Sequence, residues 1–205
     1  MATDINRLGV LISGRGTNML ALQRAIDDGR LAARIALVIS NVADAPGLES
    51  ARRAGIESET LSPKGFSSTD AYDAAIVEKL VGRGVNLVCL AGFMRVLGRT
   101  FCDAFPHAAL NIHPSLLPAF PGVGAASQAL QHGSRVSGAT VHFVTASLDA
   151  GPIVAQESVP VFDDDTESML SARILDVEHR LYPAAVSRVL AGRWRVVGRR
   201  VVFDD

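Results

Sequence analysis

Asn111 and His113 stand two residues apart in Ala109-Leu-Asn-Ile-His-Pro-Ser-Leu-Leu-Pro118. That spacing puts both side chains on one face of a strand, because successive residues point to opposite sides. Pro114 cannot donate to a sheet ladder and biases the residue before it toward extended geometry, so His113 is expected at the strand's carboxyl end. In a parallel sheet that edge is where ligands bind. A carboxamide and an imidazole side by side there can hold a carbonyl oxygen as it becomes an oxyanion, the smallest unit of acyl-transfer chemistry.

A second group of residues suits an anion. Ser13-Gly-Arg-Gly-Thr-Asn18 follows the apolar run at residues 8–12 and precedes residues 19–28, where Leu20, Leu22, Ala25 and Ile26 form a helical stripe. Free backbone N–H groups and the positive end of the helix dipole meet in such a loop, which makes it a phosphate cradle. A dinucleotide fingerprint fits poorly, because Thr17-Asn18-Met19 stands where a third glycine is needed, so a mononucleotide phosphate suits the loop better. Taken alone, the same glycine pair also reads as a tight turn.

These two groups need a scaffold that brings strand ends together. Residues 34–40, 57–61 and 85–91 read as further strands, and residues 46–54, 69–81 and 99–105 as helices, with Ala71, Ala75, Ile76 and Leu80 facing inward on the second of these. Strands and helices alternating at this length imply right-handed crossovers and an α/β fold with a doubly wound, mainly parallel sheet. Past residue 113, the stretch 114–124 holds three prolines and two glycines and is expected to lie as a lid over the site. Residues 125–131 read as a helix, 133–138 as a turn, 140–145 as a strand, and 153–159 as a strand returning antiparallel. Residues 167–191 read as a long helix, and a C-terminal β-hairpin closes the chain around Gly198. No repeat or linker interrupts residues 1–205, so one domain is expected.

Several residues carry two readings. His142 lies in an apolar strand, where a satisfied structural histidine is the default over a ligand-contacting role. Met94, Arg95, Val96 and Leu97 either belong to the core or wall a flat aromatic ligand, with the arginine meeting its carboxylate. Asp163-Asp-Asp165 reads as a solvated cap on the last long helix, and Glu178 by itself as a surface charge. The five histidines and two cysteines show no metal-ligand spacing.

A formal net charge of −1 gives no reason to expect capture of nucleic acid or of an anionic membrane. Cys89 and Cys102 sit in apolar surroundings and read as reduced core thiols. The start, Met1-Ala-Thr-Asp-Ile-Asn-Arg7, lacks the apolar stretch of a signal peptide, and no run is long enough to span a bilayer. A cytoplasmic protein is expected, as a monomer or homodimer.

Five segments together resemble the folate-dependent formyltransferases, and among them the phosphoribosylglycinamide formyltransferase family of purine synthesis. They are Ser13 to Asn18, Ala91-Gly-Phe-Met-Arg95, Asn111 to Pro118, Val141-His-Phe-Val144 and Leu148-Asp-Ala-Gly-Pro152. The resemblance covers nearly the whole chain and implies the Rossmann-like formyltransferase fold. It also implies transfer of a formyl group from 10-formyltetrahydrofolate, as co-substrate, to the amine of glycinamide ribonucleotide, with no metal. By the same resemblance Asn111, His113 and Asp149 form the catalytic trio, and Asp149 is expected to raise the pKa of His113. Gly16, Thr17, Asn18 and Glu178 correspond to the nucleotide site. Met94, Arg95, Val96 and Leu97, with Thr145, Ala146, Ser147 and Leu148, correspond to the folate pocket. At residues 123–127 the chain has Val-Gly-Ala-Ala-Ser where many members carry histidines, so a small, flexible lid is expected.

Three other readings use parts of the same pattern. A methionyl-tRNA formyltransferase needs further basic sequence to hold tRNA. A formyltetrahydrofolate hydrolase uses the same trio with water as acceptor, and a non-catalytic nucleotide-binding module shares only the fold and the glycine loop.

Overall fold

A computed structural model describes residues 5–204. The chain runs β1 (Asn6–Ile12), α1 (Thr17–Asp27), β2 (Ala33–Ser40), α2 (Pro46–Arg53), β3 (Ser58–Thr60), α3 (Thr69–Gly82), β4 (Leu87–Leu90), α4 (Arg99–Ala104) and β5 (Ala109–His113). It continues through α5 (Ala125–Gln131), β6 (Val136–Phe143), β7 (Ile153–Pro160), α6 (Glu167–Leu190), β8 (Trp194–Val197) and β9 (Arg200–Phe203). The strands form one sheet in the order β3-β2-β1-β4-β5-β6-β7-β9-β8.

From β3 to β5 every neighbouring pair is parallel. Leu8, Val10, Leu11 and Ile12 have no solvent exposure because helices cover both faces of β1. One face packs against α1, α5 and α6, the other against α3 and α4. At β5 the sheet changes character: β6 is antiparallel to β5, and β7 to β6. The Tyr182 hydroxyl, buried on α6, lies 3.0 Å from the carbonyl oxygens of both Leu90 and Leu110, tying α6 to β4 and β5. The C-terminal hairpin extends the sheet, β9 meeting β7 at Ile153 and Arg200.

Some expectations need correction. Residues 136–138 belong to β6 and not to a turn, and Gly138 pairs with Ser158 so closely that a Cβ there would come within 2.2 Å of the Glu157 carbonyl oxygen. On α3 the buried positions are Tyr72, Asp73, Ile76 and Leu80, while Ala71 and Ala75 are only half-buried. Of the acidic run, Asp165 is not solvated: Arg173 grips its carboxylate with two N–H groups at 2.7 Å, holding its pKa down to about 2. Cys89 is buried, with its thiol pushed up to about 12 by burial, whereas Cys102 is only half-buried. The reading of the chain's start falls mainly on residues 1–4, outside the described residues. Among the described residues, no helix is long and apolar enough to cross a membrane.

Candidate active site

β5 delivers Asn111 and His113 to the seam where the parallel and antiparallel halves of the sheet meet. Pro114 ends the strand directly after His113, as its missing N–H requires. The loop after β6 brings Asp149 to the same place. Its carboxylate Oδ2 lies 3.4 Å from His113 Nδ1, and Oδ1 lies 3.6 Å from His142 Nε2. Two constraints set this loop. Asp149 itself has φ +47°, and at Gly151 a Cβ would come within 1.8 Å of the Phe143 carbonyl oxygen. The Gly of Leu-Asp-Ala-Gly-Pro is therefore needed for close backbone approach.

The 114–124 loop closes the group from above. The carbonyl of Phe120 accepts from His113 Nε2 at 2.8 Å, and the Gly122 N–H donates to Asp149 Oδ2 at 2.8 Å. The loop's base is pinned: Leu117 N–H donates to the Thr140 hydroxyl oxygen at 3.0 Å, Thr140 donates to the Ser115 carbonyl, and Gln156 donates to the Leu117 carbonyl. The small, flexible lid expected from residues 123–127 is therefore anchored at its start by β6 and β7.

His113 differs from expectation. Burial lowers its pKa; the Phe120 carbonyl and Asp149 pull the other way without prevailing, and His142 adds to the lowering. Because a carbonyl only accepts, the neutral ring carries its proton on Nε2, which leaves a bare Nδ1 facing Asp149. Asp149 is held below the usual carboxylate range. Burial pushes it up, but the His142 ring, the Gly122 N–H and His113 outweigh that.

His142 is buried with both ring nitrogens engaged, as a satisfied histidine should be, and it also belongs to this group. It pairs directly across the β5–β6 ladder with Asn111. Its Nδ1 donates to the Phe143 carbonyl at 2.9 Å, so Nε2 is the acceptor for the Asn111 amide at 3.2 Å. That bond fixes which way the carboxamide points and leaves its second N–H for a ligand. The signal lay in the register: once residues 109–113 and 140–145 pair antiparallel, His142 falls opposite Asn111.

Two clefts flank the seam. The first, about 290 Å³, is lined by Gly14, Arg15, Gly16, Thr17 and Asn18 with Glu178 from α6. Gly16 caps α1 with φ +71° and offers no side chain to its first-turn N–H groups, which leaves them for an anion. Glu178 is 6 % exposed and accepts from the Asn18 amide at 2.7 Å. Burial pushes its pKa up to about 7 against that bond. It is a buried carboxyl and not a surface charge.

The second cleft, about 70 Å³, is lined by Arg95, Val96, Leu97, Thr145, Ser147 and Leu148 together with Asn111, His142 and Asp149. Of the residues expected at a folate wall, Met94 lines the glycine-loop cleft instead, and Ala146 lines neither. Ser13 joins the two regions. Its hydroxyl accepts from the Met94 N–H at 2.7 Å, and its own N–H donates to the Gly92 carbonyl at 3.1 Å. Among the described residues, no group of three or more His, Cys, Asp or Glu is placed to hold a metal ion.

Comparison with known proteins shows the family to which the chain belongs. Residues 6–186 match the Formyl transferase family. The chain is 43% identical over 187 residues to the phosphoribosylglycinamide formyltransferase of Escherichia coli strain K12, covering 91% of this chain and 88% of that one. It is 45% identical to the trifunctional purine biosynthetic protein adenosine-3 of Homo sapiens over 91% of this chain, while spanning only 18% of that longer protein. A crystal structure of glycinamide ribonucleotide transformylase 1 from Symbiobacterium toebii superposes with a TM-score of 0.96 at 52% identity, covering 98% of this chain and 95% of that one. A strand end that joins Asn111 to His113, an acid-bearing turn that reaches it and a glycine-capped helix thus sit in a chain that belongs to the formyl transferase family, among the phosphoribosylglycinamide formyltransferases.

Proposed function

We propose that the protein moves a formyl group from 10-formyltetrahydrofolate to the primary amine of glycinamide ribonucleotide by direct attack, with Asn111, His113 and Asp149 as its catalytic residues. The observation that carries this reading is the single carboxylate of Asp149 between two imidazoles, one of which is the catalytic ring and the other the anchor of Asn111. The nucleotide's phosphate meets the N–H groups of Gly16, Thr17 and Asn18, and Glu178 faces the same cleft. The folate occupies the cleft beside Arg95, Val96, Leu97, Thr145, Ser147 and Leu148.

The amine attacks the formyl carbon, and the carbonyl oxygen becomes an oxyanion in a tetrahedral intermediate. The free N–H of Asn111 donates to that oxygen. The attacking nitrogen carries an excess proton, which passes by way of the Asp149 carboxylate, the member of the pair that lines the cleft, to the bare Nδ1 of neutral His113; Asp149 then stabilises the imidazolium. When the carbon–nitrogen bond to the folate breaks, that proton goes to the leaving nitrogen and the ring returns to neutral. Both substrates bind together, so much of the acceleration comes from holding the amine and the carbon at near-attack distance.

The test is the absorbance of released tetrahydrofolate with and without glycinamide ribonucleotide. Release only in the presence of the amine is expected. Release without it makes the protein a hydrolase, and no release under either condition removes the catalytic reading.

A further inference from the structure

Asp73 on α3 has no solvent exposure, although it lies outside the catalytic group. A buried carboxylate is costly unless its lone pairs are met. Here Oδ2 accepts from the Gly98 N–H at 2.6 Å, while Oδ1 is buried with no hydrogen-bond partner. The Nε of Arg95 is also buried and unpartnered. The Arg95 guanidinium lies 5.1 Å from the centre of the Tyr72 ring, next to Asp73, and the Tyr72 hydroxyl is fixed by the Leu61 carbonyl at 2.9 Å. Burial pushes the Asp73 pKa up, the Gly98 N–H and the Arg95 charge pull it down, and no hydrogen bond joins Arg95 to Asp73.

Segment 92–98 walls both clefts and is held at two points. Ser13 holds its start, and Asp73 holds its end through Gly98. A bidentate carboxylate would take two of the guanidinium's five N–H donors and turn them away from the cleft. A carboxylate that attracts from a distance orients the group and leaves those donors free. We propose that Asp73 is a positioning residue for the narrow cleft: it fixes the far end of segment 92–98 and holds Arg95 ready for the carboxylates of the formyl donor's glutamate tail. This rests on the reading of that donor as a folate.

Asp73→Asn keeps the side chain's size and an acceptor for the Gly98 N–H but removes the charge. In the full-length protein it is expected to raise KM for 10-formyltetrahydrofolate about tenfold, a loss of about 1.4 kcal/mol. The nucleotide KM and kcat stay within about twofold, and affinity for a truncated folate lacking the glutamate changes by less than about twofold. A merely structural role would instead lower the unfolding temperature without separating the two KM values. An unchanged donor KM, an equal rise in both KM values, or an equal loss for the truncated folate overturns the proposal.

If Asp73→Asn does not fold, Gly98→Ala addresses the same contact, since its Cβ would lie 3.1 Å from Asp73 Oδ2. It must raise the donor KM and spare the nucleotide KM, and failing to do so also overturns the proposal. A wild-type protein that binds no folate counts against the formyl-transfer reading itself and removes this proposal with it. Normal wild-type binding with unaffected variants removes Asp73 alone.

Discussion

The two sides of the site each contain a buried carboxylate, and burial leaves them in opposite states. Glu178, in the glycine-loop cleft, has one donor, the Asn18 amide, and its pKa rises to about 7. Asp149, at the β5–β6 seam, has the Gly122 N–H and two imidazole rings beside it, and its pKa falls. Desolvation acts on both in the same direction, so what else lies beside the carboxylate decides the outcome: Glu178 meets only a neutral amide, whereas Asp149 meets a backbone N–H and two rings that can carry positive charge. The nucleotide side is built largely from backbone N–H groups around a carboxyl close to its titration point. The reacting side is built from side chains locked around a permanent negative charge.

The comparison can be broken most sharply on the reacting side. Asn111→Ala and His113→Ala are each expected to lower kcat by about 10²–10³ while the nucleotide KM stays within about twofold. Steady-state kinetics with both substrates varied checks this, and wild-type turnover in His113→Ala would remove the assignment. Asp149→Asn should also slow turnover and lower the pKa of His113 further, because it removes an attraction that favours the charged ring; an NMR titration of the imidazole reads that directly.

Next in size is the nucleotide side's carboxyl. The folded pKa of Glu178 lies above its ordinary value of 4.5, so its contribution to stability is fully present below that value and is lost as pH rises through about 7. A shift of that size corresponds to about 3 kcal/mol. Glu178→Gln should flatten the fall in unfolding free energy between pH 5 and pH 8 by about that amount, as measured by urea unfolding. An equally steep fall in the variant would put the titrating group elsewhere.

The smallest effect belongs to the cradle. Gly16 has φ +71°, and its Cβ would lie 3.0 Å from Gly47 Cα, so Gly16→Val should cost about 1–2 kcal/mol of local strain. The nucleotide KM should rise about tenfold, much more than the donor KM. Equal rises would blur the division between the two clefts.

Much of this arrangement is legible in the sequence because it is local. Leu8 to Ile12 is an apolar run ending in glycines, and Pro114 stops a strand at the residue it follows. Gly16 is read as a helix start because its neighbours show the helical period. What escapes is what depends on register or on the far side of a fold. His142 looks like a core histidine until an antiparallel partner places Asn111 opposite it. Asp73 looks like part of a polar helix face, and only the packing of segment 92–98 onto α3 shows it buried. The protonation of His113 escapes for the same reason: the nearby acid was visible, but the extent of burial was not.

The Ser13 hydroxyl, which accepts from the Met94 N–H while donating to Asn41 Oδ1 at 2.5 Å, has a mechanical consequence. A displacement at the anion-holding turn is passed through one oxygen atom into the strip of chain that shapes the other chamber. Neither ligand therefore settles into a wall that is indifferent to its neighbour, and a methyl in place of that oxygen would let the two chambers relax apart.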